Sequence, residues 1–294
     1  MIKQYINNFI TKCNENNSRI EAIALANKEE LLIEHHFTWV DTRNIYSHTK
    51  SVISMAVGIA VKEGIISLDD KLVEVLNKYL PENYGPNLAK ITLRHLLMMA
   101  SGFNKAYLMQ STKGLEYAEP DYLKFMLSLK VEVEPGTRFV YSNGDTYLVA
   151  RMLEEKLGYP LQLYLYNKIF KPLNMGNPVI YTDLQGRVFG ATGLHLSIDN
   201  QIKLGQFLLN ANEIDEKYFY EMGRTQIVLE DGNKYGYQFW VMNDERNWYM
   251  MSGAFGQNTY VLTDLGYVIS IQCPDGKEPT EVGTLLNEEI FSKI

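Results

Sequence analysis

Apolar residues recur at helical spacing at the start of the chain, where Ile2, Ile6 and Phe9 are separated by four and three positions. This spacing predicts an amphipathic helix. The next stretch, IEAIALANKEELLIEHHF, has apolar runs on either side of the polar segment 27–30. These runs predict two short strands joined by a turn.

The apolar run VISMAVGIAV, residues 52–61, predicts a buried helix that starts at the segment YSHTKS and ends near Gly64. It is too short to cross a bilayer, which takes about 20 residues. From Leu68 to Leu209 the pattern is mostly helical. The predicted helices are Thr92–Met99, Pro120–Leu129, Thr146–Leu157, Gln162–Phe170 and Asp199–Leu209.

After Lys234 the chain becomes rich in aromatic and β-branched residues. The segments YGYQFWVM, NWYMMSG, NTYVLT and GYVISIQC are separated by polar breaks, which predicts an antiparallel meander. A last helix is predicted over 281–294. Because strands lie at both chain ends and helices between them, we predict an α+β fold, an α/β sandwich with one antiparallel sheet built from both ends.

In this fold the terminal helices flank the sheet, and a mainly helical region is inserted. The predicted parts are residues 1–65 with 230–294, which carry the sheet, and 66–229, the helical insert. No Pro-rich or Ser-rich linker separates them, so we expect them to form one unit.

Composition narrows the classes of partner. The chain has 294 residues and a net charge of −7 without a basic cluster, which argues against nucleic acid and membrane-surface partners. Cys13 and Cys273 are too few for a disulfide framework and predict buried thiols, although one bridge between them stays open. The start of the chain has no continuous apolar stretch, so we expect a cytoplasmic protein.

We expect neither a metal nor a cofactor. The five histidines lack metal-ligand spacing, and the sequence has no phosphate-binding loop. The oligomeric state is left open by the sequence.

Ser47 and Lys50 are the first candidates for chemistry. Residues three apart share a helix face, so a serine at the helix start can contact this lysine. A lysine in a desolvated cleft can accept the serine proton. The alternative is a serine helix cap followed by a surface lysine. His48 projects away from this face, and we expect it at the surface.

Tyr141 and Asn143 are expected on a tight loop, after the turn at Pro135-Gly136 and before a helix. A phenol near a lysine can relay protons, and an amide can hydrogen-bond a substrate carbonyl. The alternative is a turn with a buried tyrosine.

The segment MMSGAFGQ, residues 250–257, falls at the end of a predicted strand. Gly253 and Gly256 allow close backbone approach by a ligand, and a backbone N–H here can complete an oxyanion hole. The alternative is an ordinary glycine-containing hairpin.

In this order the three motifs resemble those of the serine β-lactamase and penicillin-binding superfamily. The resemblance is to its class C-like branch, with class C β-lactamases, D-alanyl-D-alanine peptidases, esterases and 6-aminohexanoate-dimer hydrolases. Further landmarks that fit are ITLRHLLMMASGF, EPGTRFVYSN, KPLNMG, GATGLHLSIDNQIKLGQFLLN and YGYQFW. The resemblance extends over about residues 30–273.

The resemblance implies one catalytic unit, with its active site between the sheet and the helical insert, and it implies roles for the matching residues. Ser47 is then the acylated nucleophile and Lys50 its base, while Tyr141 shares the proton transfers. Asn143 contacts Lys50 or the substrate amide. The backbone N–H groups of Ser47 and Ala254 form the oxyanion hole.

One position departs from the family pattern. The last motif usually begins with Lys or His, but here it is Met251-Ser252-Gly253. The cation often helps to bind a substrate carboxylate, which Met251 cannot do. This departure argues against efficient β-lactamase or peptidase activity, unless another cation such as Arg43 takes over.

The loop 103–120 is long for a connection, and such loops often form lids or binding walls. Tyr107, Met109 and Tyr117 are candidates to line an acyl or amide pocket, with simple packing as the alternative.

The leading functional hypothesis is therefore a serine hydrolase that cleaves a small-molecule ester or amide through an acyl-enzyme on Ser47. The first alternative is a weak β-lactamase or D-Ala-D-Ala peptidase acting on a lactam or peptide. The second is a non-catalytic binding or scaffold protein that keeps the fold. The sequence does not specify the substrate.

Overall fold

A computed structural model of the chain describes residues 1–109, 120–210 and 212–294. Its main feature is an eight-stranded antiparallel sheet with strand order β2-β1-β10-β9-β8-β7-β6-β5. A two-stranded sheet pairs β3 with β4. The strands are β1 Ala22–Ala26, β2 Leu31–His36, β3 Arg43–Asn44, β4 His195–Leu196, β5 Ile227–Val228, β6 Lys234–Tyr235, β7 Trp240–Asn243, β8 Trp248–Gly253, β9 Gln257–Leu262 and β10 Tyr267–Gln272.

Both chain ends contribute to the large sheet, because β1 pairs with β10 on one side and with β2 on the other. Alternate residues of β1 enter two different cores. Ile23 and Leu25 pack with the terminal helices, whereas Ala24 faces the core on the opposite side. This alternation is what a strand covered on both faces requires. The predicted α+β fold with one antiparallel sheet is confirmed.

The terminal helices α1 and α10 cover one face of the sheet, through a core that contains Ile6, Phe9 and Leu286. On the other face, α8 packs on β1, β9 and β10, and α2 packs on β8. The helices are α1 Ile2–Glu15, α2 His48–Lys62, α3 Leu72–Val75, α4 Leu93–Leu97, α5 Tyr122–Ser128, α6 Asn143–Leu157, α7 Leu161–Leu165, α8 Ile198–Asn210, α9 Glu216–Met222 and α10 Thr280–Glu289.

Short irregular helices complete the fold, with 3₁₀ turns at Asn77–Tyr79, Leu88–Lys90, Ala254–Gly256 and Phe291–Lys293, and a π-helical turn at Tyr166–Phe170. This turn splits the helix that the sequence predicted over 162–170. The last predicted helix also ends early, at Glu289, and continues as the turn Phe291–Lys293. Within the described ranges, no helix is both long and apolar enough to cross a bilayer. Cys13 and Cys273 are buried and unpaired.

Candidate active site

Ser47 lies at the junction between a strained turn and the start of α2. Tyr46, the preceding residue, has a φ of 48°, in the left-handed region that side chains other than glycine rarely adopt. Ser47 takes the N-cap position, yet its hydroxyl makes no capping hydrogen bond. The interpretation of this serine as an ordinary cap is therefore not supported, since its hydroxyl is free for other contacts.

Lys50 is the first of these contacts. Its Nζ lies 3.1 Å from Ser47 Oγ, 2.5 Å from Asn143 Oδ1 and 2.7 Å from the backbone oxygen of Ala191. The residue is only 1% exposed, so the alternative of a surface lysine is wrong. An ammonium group can donate to all three, whereas the neutral amine donates to Asn143 and Ala191 and directs its lone pair to the Ser47 hydroxyl, so both forms keep Nζ beside Oγ.

Burial lowers the pKa of Lys50 to about 7. The cause is desolvation, which disfavours the charged amine. A substantial fraction of Lys50 is therefore neutral near pH 7 and able to accept a proton. An exposed lysine with a pKa near 10.4 would be almost fully charged.

Tyr141 contacts the same hydroxyl from another direction. Its phenol is close enough to the Ser47 side chain for that side chain to lower the phenol pKa, and its ring centroid lies 5.1 Å from Lys50 Nζ. Burial raises the pKa of Tyr141 to about 12, so the phenol stays protonated at neutral pH. The ring stacks on Trp240 at 5.9 Å and meets the edge of Tyr235. These two aromatic residues restrict the orientation of the phenol.

Asn143 is the first residue of α6, although the sequence placed it on the loop before a helix. The helix starts here because Ser142 caps it, accepting a hydrogen bond from Gly144 N at 3.1 Å. The Asn143 amide bridges two elements, since its Oδ1 accepts from Lys50 and its Nδ2 donates to the Leu108 carbonyl at 3.0 Å. Asn143 therefore contacts Lys50.

The end of β8 approaches the segment that precedes Ser47. A Cβ atom added to Gly253 would lie 2.0 Å from the carbonyl oxygen of Ile45, so only glycine fits there. The next residue, Ala254, begins the turn into β9. This close approach brings the Ala254 backbone to the same place in the fold as the start of α2.

Met251 faces the core on the side of the sheet that α2 covers, and it is 0% exposed. The adjacent Ser252 is half-buried on the alternate face of the strand. Arg43, the substitute cation considered from the sequence, is already paired. Its guanidinium donates to Glu21 through two nitrogens and lies 3.5 Å from Asp275 Oδ2.

Tyr107 packs inside the helical region, where its ring meets the edges of Phe103 and Phe125, each at 5.9 Å. Its backbone N–H donates to Ser142 Oγ at 3.1 Å, which anchors this segment beside the start of α6. Met109 is half-buried. Tyr117 lies outside the described residues.

Two residues with contacts at or next to the site, Ala191 and His48, were not identified from the sequence. Ala191 accepts from Lys50 through its backbone carbonyl, a group that every residue carries and no motif marks. His48 was expected at the surface but is completely buried, because the β8–β9 hairpin covers the side of α2 that faces away from Lys50. Residues that could together hold a metal ion are not found in the part of the chain that the structure describes.

Comparison with known proteins shows the family of this chain and the fold that it shares. The sequence pattern of the Beta-lactamase family matches residues 43–285, most of the chain. The protein belongs to this family. A curated relative from Escherichia coli K12, named "Putative D-alanyl-D-alanine carboxypeptidase", is 25% identical over 194 residues, which is 61% of this chain and 45% of that relative. The chain spans 32–45% of the length of the curated relatives it matches.

Solved structures show the same fold. EstCE1, described as a hydrolase with promiscuous acyltransferase activity, has a TM-score of 0.80 at 15% identity, covering 99% of this chain and 98% of its own. The octameric penicillin-binding protein homologue from Pyrococcus abyssi has a TM-score of 0.76 at 18% identity, covering 99% of this chain and 77% of its own. At these identities the likeness concerns the fold alone.

Proposed function

We propose that the protein is a serine hydrolase that cleaves an ester or amide bond through a covalent acyl-enzyme on Ser47. The observation that carries the proposal is the buried Lys50 amine, 3.1 Å from Ser47 Oγ, with a pKa lowered to about 7. A base whose pKa lies near the working pH is suited to remove the serine proton as the hydroxyl attacks.

In the acylation step, Ser47 Oγ forms a bond to the substrate carbonyl carbon while its proton moves to Lys50 Nζ. The carbonyl oxygen becomes an oxyanion, and the backbone N–H groups of Ser47 and Ala254 are the proposed donors to it. When the intermediate collapses, the phenol of Tyr141 gives its proton to the leaving alcohol or amine. The Lys50 ammonium then returns a proton to Tyr141.

In deacylation, water attacks the acyl carbon and gives its proton to the Lys50–Tyr141 pair, and Ser47 leaves reprotonated. Asn143 fixes the lysine amine through Oδ1 in both half-reactions. Tyr141 serves as the proton relay rather than the first base, because its pKa is raised to about 12 while that of Lys50 is about 7.

The end of β8 favours esters and amides over carboxylate-bearing lactams and peptides. Met251 offers no charge to a substrate carboxylate, and Arg43 is already paired with Glu21 and Asp275. Without a cation, a carboxylate would lose its hydration with little compensation. Neutral acyl compounds do not carry this cost.

A weak β-lactamase or D-Ala-D-Ala peptidase is the second candidate. The name of the Escherichia coli relative, a putative D-alanyl-D-alanine carboxypeptidase, favours it. A non-catalytic scaffold, the third hypothesis, has less support. A binding protein gains nothing from a buried, desolvated lysine held beside a serine, since burial of an amine costs stability.

The test is a panel of neutral esters, amides and the β-lactam nitrocefin, assayed with the wild type, Ser47→Ala and Lys50→Met. We expect turnover of esters or amides by the wild type alone and slow or no turnover of nitrocefin. Faster turnover of nitrocefin than of every ester and amide would favour the second candidate. Equal turnover by all three proteins would contradict the serine mechanism.

A further inference from the structure

His48 directly follows Ser47 and is 0% exposed. Its Nδ1 lies 3.2 Å from the backbone oxygen of Gln257. A carbonyl oxygen only accepts hydrogen bonds, so Nδ1 carries the proton in this contact. The other ring nitrogen, Nε2, is buried and has no hydrogen-bond partner within the described ranges. The ring is therefore placed as a neutral imidazole that donates one hydrogen bond, through Nδ1.

The acceptor of this bond, the Gln257 backbone oxygen, lies where the turn of the β8–β9 hairpin enters β9. Gln257 is the first residue of β9 and pairs with Gly253, the last residue of β8. Between them runs the turn Ala254–Gly256, which contains the proposed Ala254 oxyanion donor. His48 is bonded to one end of this turn, and the other end approaches Ile45 at Gly253.

The turn itself is strained, because Phe255 has a φ of 61°. A non-glycine residue in this region persists only where its surroundings hold it. Two side-chain contacts hold the turn from the far side of the hairpin. Phe255 N donates to Glu278 Oε1 at 2.9 Å, and Gln257 Nε2 donates to the Cys273 carbonyl at 2.7 Å.

These two contacts tie the turn to the chain around β10, not to α2. Among the side-chain hydrogen bonds of the described residues, the bond from His48 is the one that joins the turn to α2. The start of α2 and the turn that carries Ala254 N–H are thus joined by the hydrogen bond from this imidazole and by the edge contact between the rings of Tyr46 and Phe255, whose centroids lie 5.2 Å apart.

We propose that His48 is a positioning residue, whose ring holds the β8–β9 turn against the start of α2 and thereby fixes the Ala254 N–H relative to the Ser47 N–H. The inference rests on the proposed function, since these two groups matter together only if an oxyanion forms between them. Oxyanion donors act within a narrow range of distance, and a displacement of about 1 Å costs about a hundredfold in rate.

The test compares two substitutions of nearly equal shape. His48→Asn retains an N–H donor close to the position of Nδ1, and His48→Leu removes it. Ser54→Ala is the matched control, because Ser54 is buried on the same helix and donates to the Tyr237 carbonyl at 2.6 Å, away from the hairpin turn. The measurements are kcat and KM with the best neutral ester, and thermal melting of each variant.

We expect His48→Leu to lower kcat by about 10- to 100-fold with KM within about twofold of the wild type. His48→Asn should recover most of that loss. Ser54→Ala should melt earlier while keeping kcat. Unchanged kcat in a folded His48→Leu variant would overturn the inference. So would equal losses of kcat in the Leu, Asn and Ser54→Ala variants, because they would indicate a general loss of stability.

A second measurement does not depend on activity or on the Leu variant folding. Nitrogen-15 NMR of the wild type labelled at histidine, with His48→Asn to assign the signal, reports which ring nitrogen holds the proton. We expect a neutral His48 ring protonated at Nδ1, and protonation at Nε2 would overturn the inference. If the wild type turns over no substrate and no probe labels Ser47, the proposed function fails, whichever tautomer the NMR reports.

Discussion

At the start of α2, the polar groups are matched to one another: Lys50 has three acceptors, and Asn143 and Tyr141 each contact this cluster. At the end of β8, which approaches the same place, the buried Met251 stands where the motif that this sequence resembles usually begins with Lys or His. Under the proposed function, bond cleavage and substrate recognition therefore depend on separate parts of the site. The first part has the groups that the proposed acyl-enzyme chemistry needs, while the second has a neutral methionine in place of a cation that could bind a substrate carboxylate.

Removal of the Lys50 amine gives the largest expected effect, because this amine is the proposed base beside Ser47 Oγ. We expect Lys50→Met to lower kcat/KM for a neutral ester by at least about a thousandfold, since the Lys50 amine lies 3.1 Å from Ser47 Oγ and burial lowers its pKa to about 7. Steady-state kinetics measures the loss. Circular dichroism and thermal melting are the controls for folding. Retained turnover in a folded variant would contradict the role of Lys50.

Removal of the Tyr141 hydroxyl should have a smaller effect, about a hundredfold in kcat, because Lys50 stays beside Ser47. The ring remains stacked on Trp240, so we expect Tyr141→Phe to fold. The matched control is Tyr249→Phe, since the Tyr249 hydroxyl is buried and lacks a hydrogen-bond partner among the described residues. The control should keep full activity. Equal rates for both variants would exclude a proton relay through Tyr141.

The pH profile tests whether the neutral amine of Lys50 is the base. Because its pKa is lowered to about 7, kcat/KM should fall tenfold for each pH unit below that value, to about one thirtieth of the plateau at pH 5.5. Rates measured between pH 5.5 and 9.5, corrected for uncatalysed hydrolysis, give the profile. A flat profile would contradict the assignment.

The lowered pKa of Lys50 should also make the free energy of unfolding depend on pH, with a defined sign. The pKa of Lys50 is lower in the folded chain than its usual 10.5, so between pH 7 and about 10.5 the unfolded state binds more protons. The free energy of unfolding of the wild type, relative to Lys50→Met, should therefore rise with pH across this window. Urea denaturation at several pH values measures the difference. A constant difference would show that Lys50 is not desolvated.

Introducing a cation at Met251, at the end of β8, should give the smallest effect of these substitutions. We expect Met251→Lys to lower KM for a carboxylate-bearing β-lactam by about tenfold, through a charge-assisted hydrogen bond. It should leave the KM of a neutral ester within about twofold. The buried position makes a loss of thermal stability the expected cost. Met251→Leu is the control, and an equal change in KM for both substrates would contradict the separation of roles.

Much of the fold could be predicted because its signals are local. The strands around residues 27–30 and the late meander follow from alternation and β-branched content, and the helix of α2 from its apolar run. Ser47, Lys50, Tyr141 and Asn143 could be proposed because their motifs lie in a recognisable order. The structure brings these four together. Their catalytic roles, the division of the chain into two parts and the cytoplasmic location stay predictions.

The failures come from contacts that are distant along the chain. A helical projection placed His48 away from Lys50 correctly, but it gave no sign that the β8–β9 hairpin covers that side. The depth of Lys50 burial depends on Ala191 and Asn143, which are far from it in sequence. Arg43 was considered as a substitute cation for substrate binding because the sequence gives no sign that it is paired. Its partners Glu21 and Asp275 lie in separate segments of the chain.

The most direct test of the central claim is to trap the acyl-enzyme. The wild type and Ser47→Ala are treated with a fluorophosphonate and, separately, with a slowly hydrolysed neutral ester, and the modified residue is located by peptide mass spectrometry. The account predicts one adduct per chain, on Ser47, and no adduct in Ser47→Ala. An adduct on another residue, or equal labelling of both proteins, would contradict it.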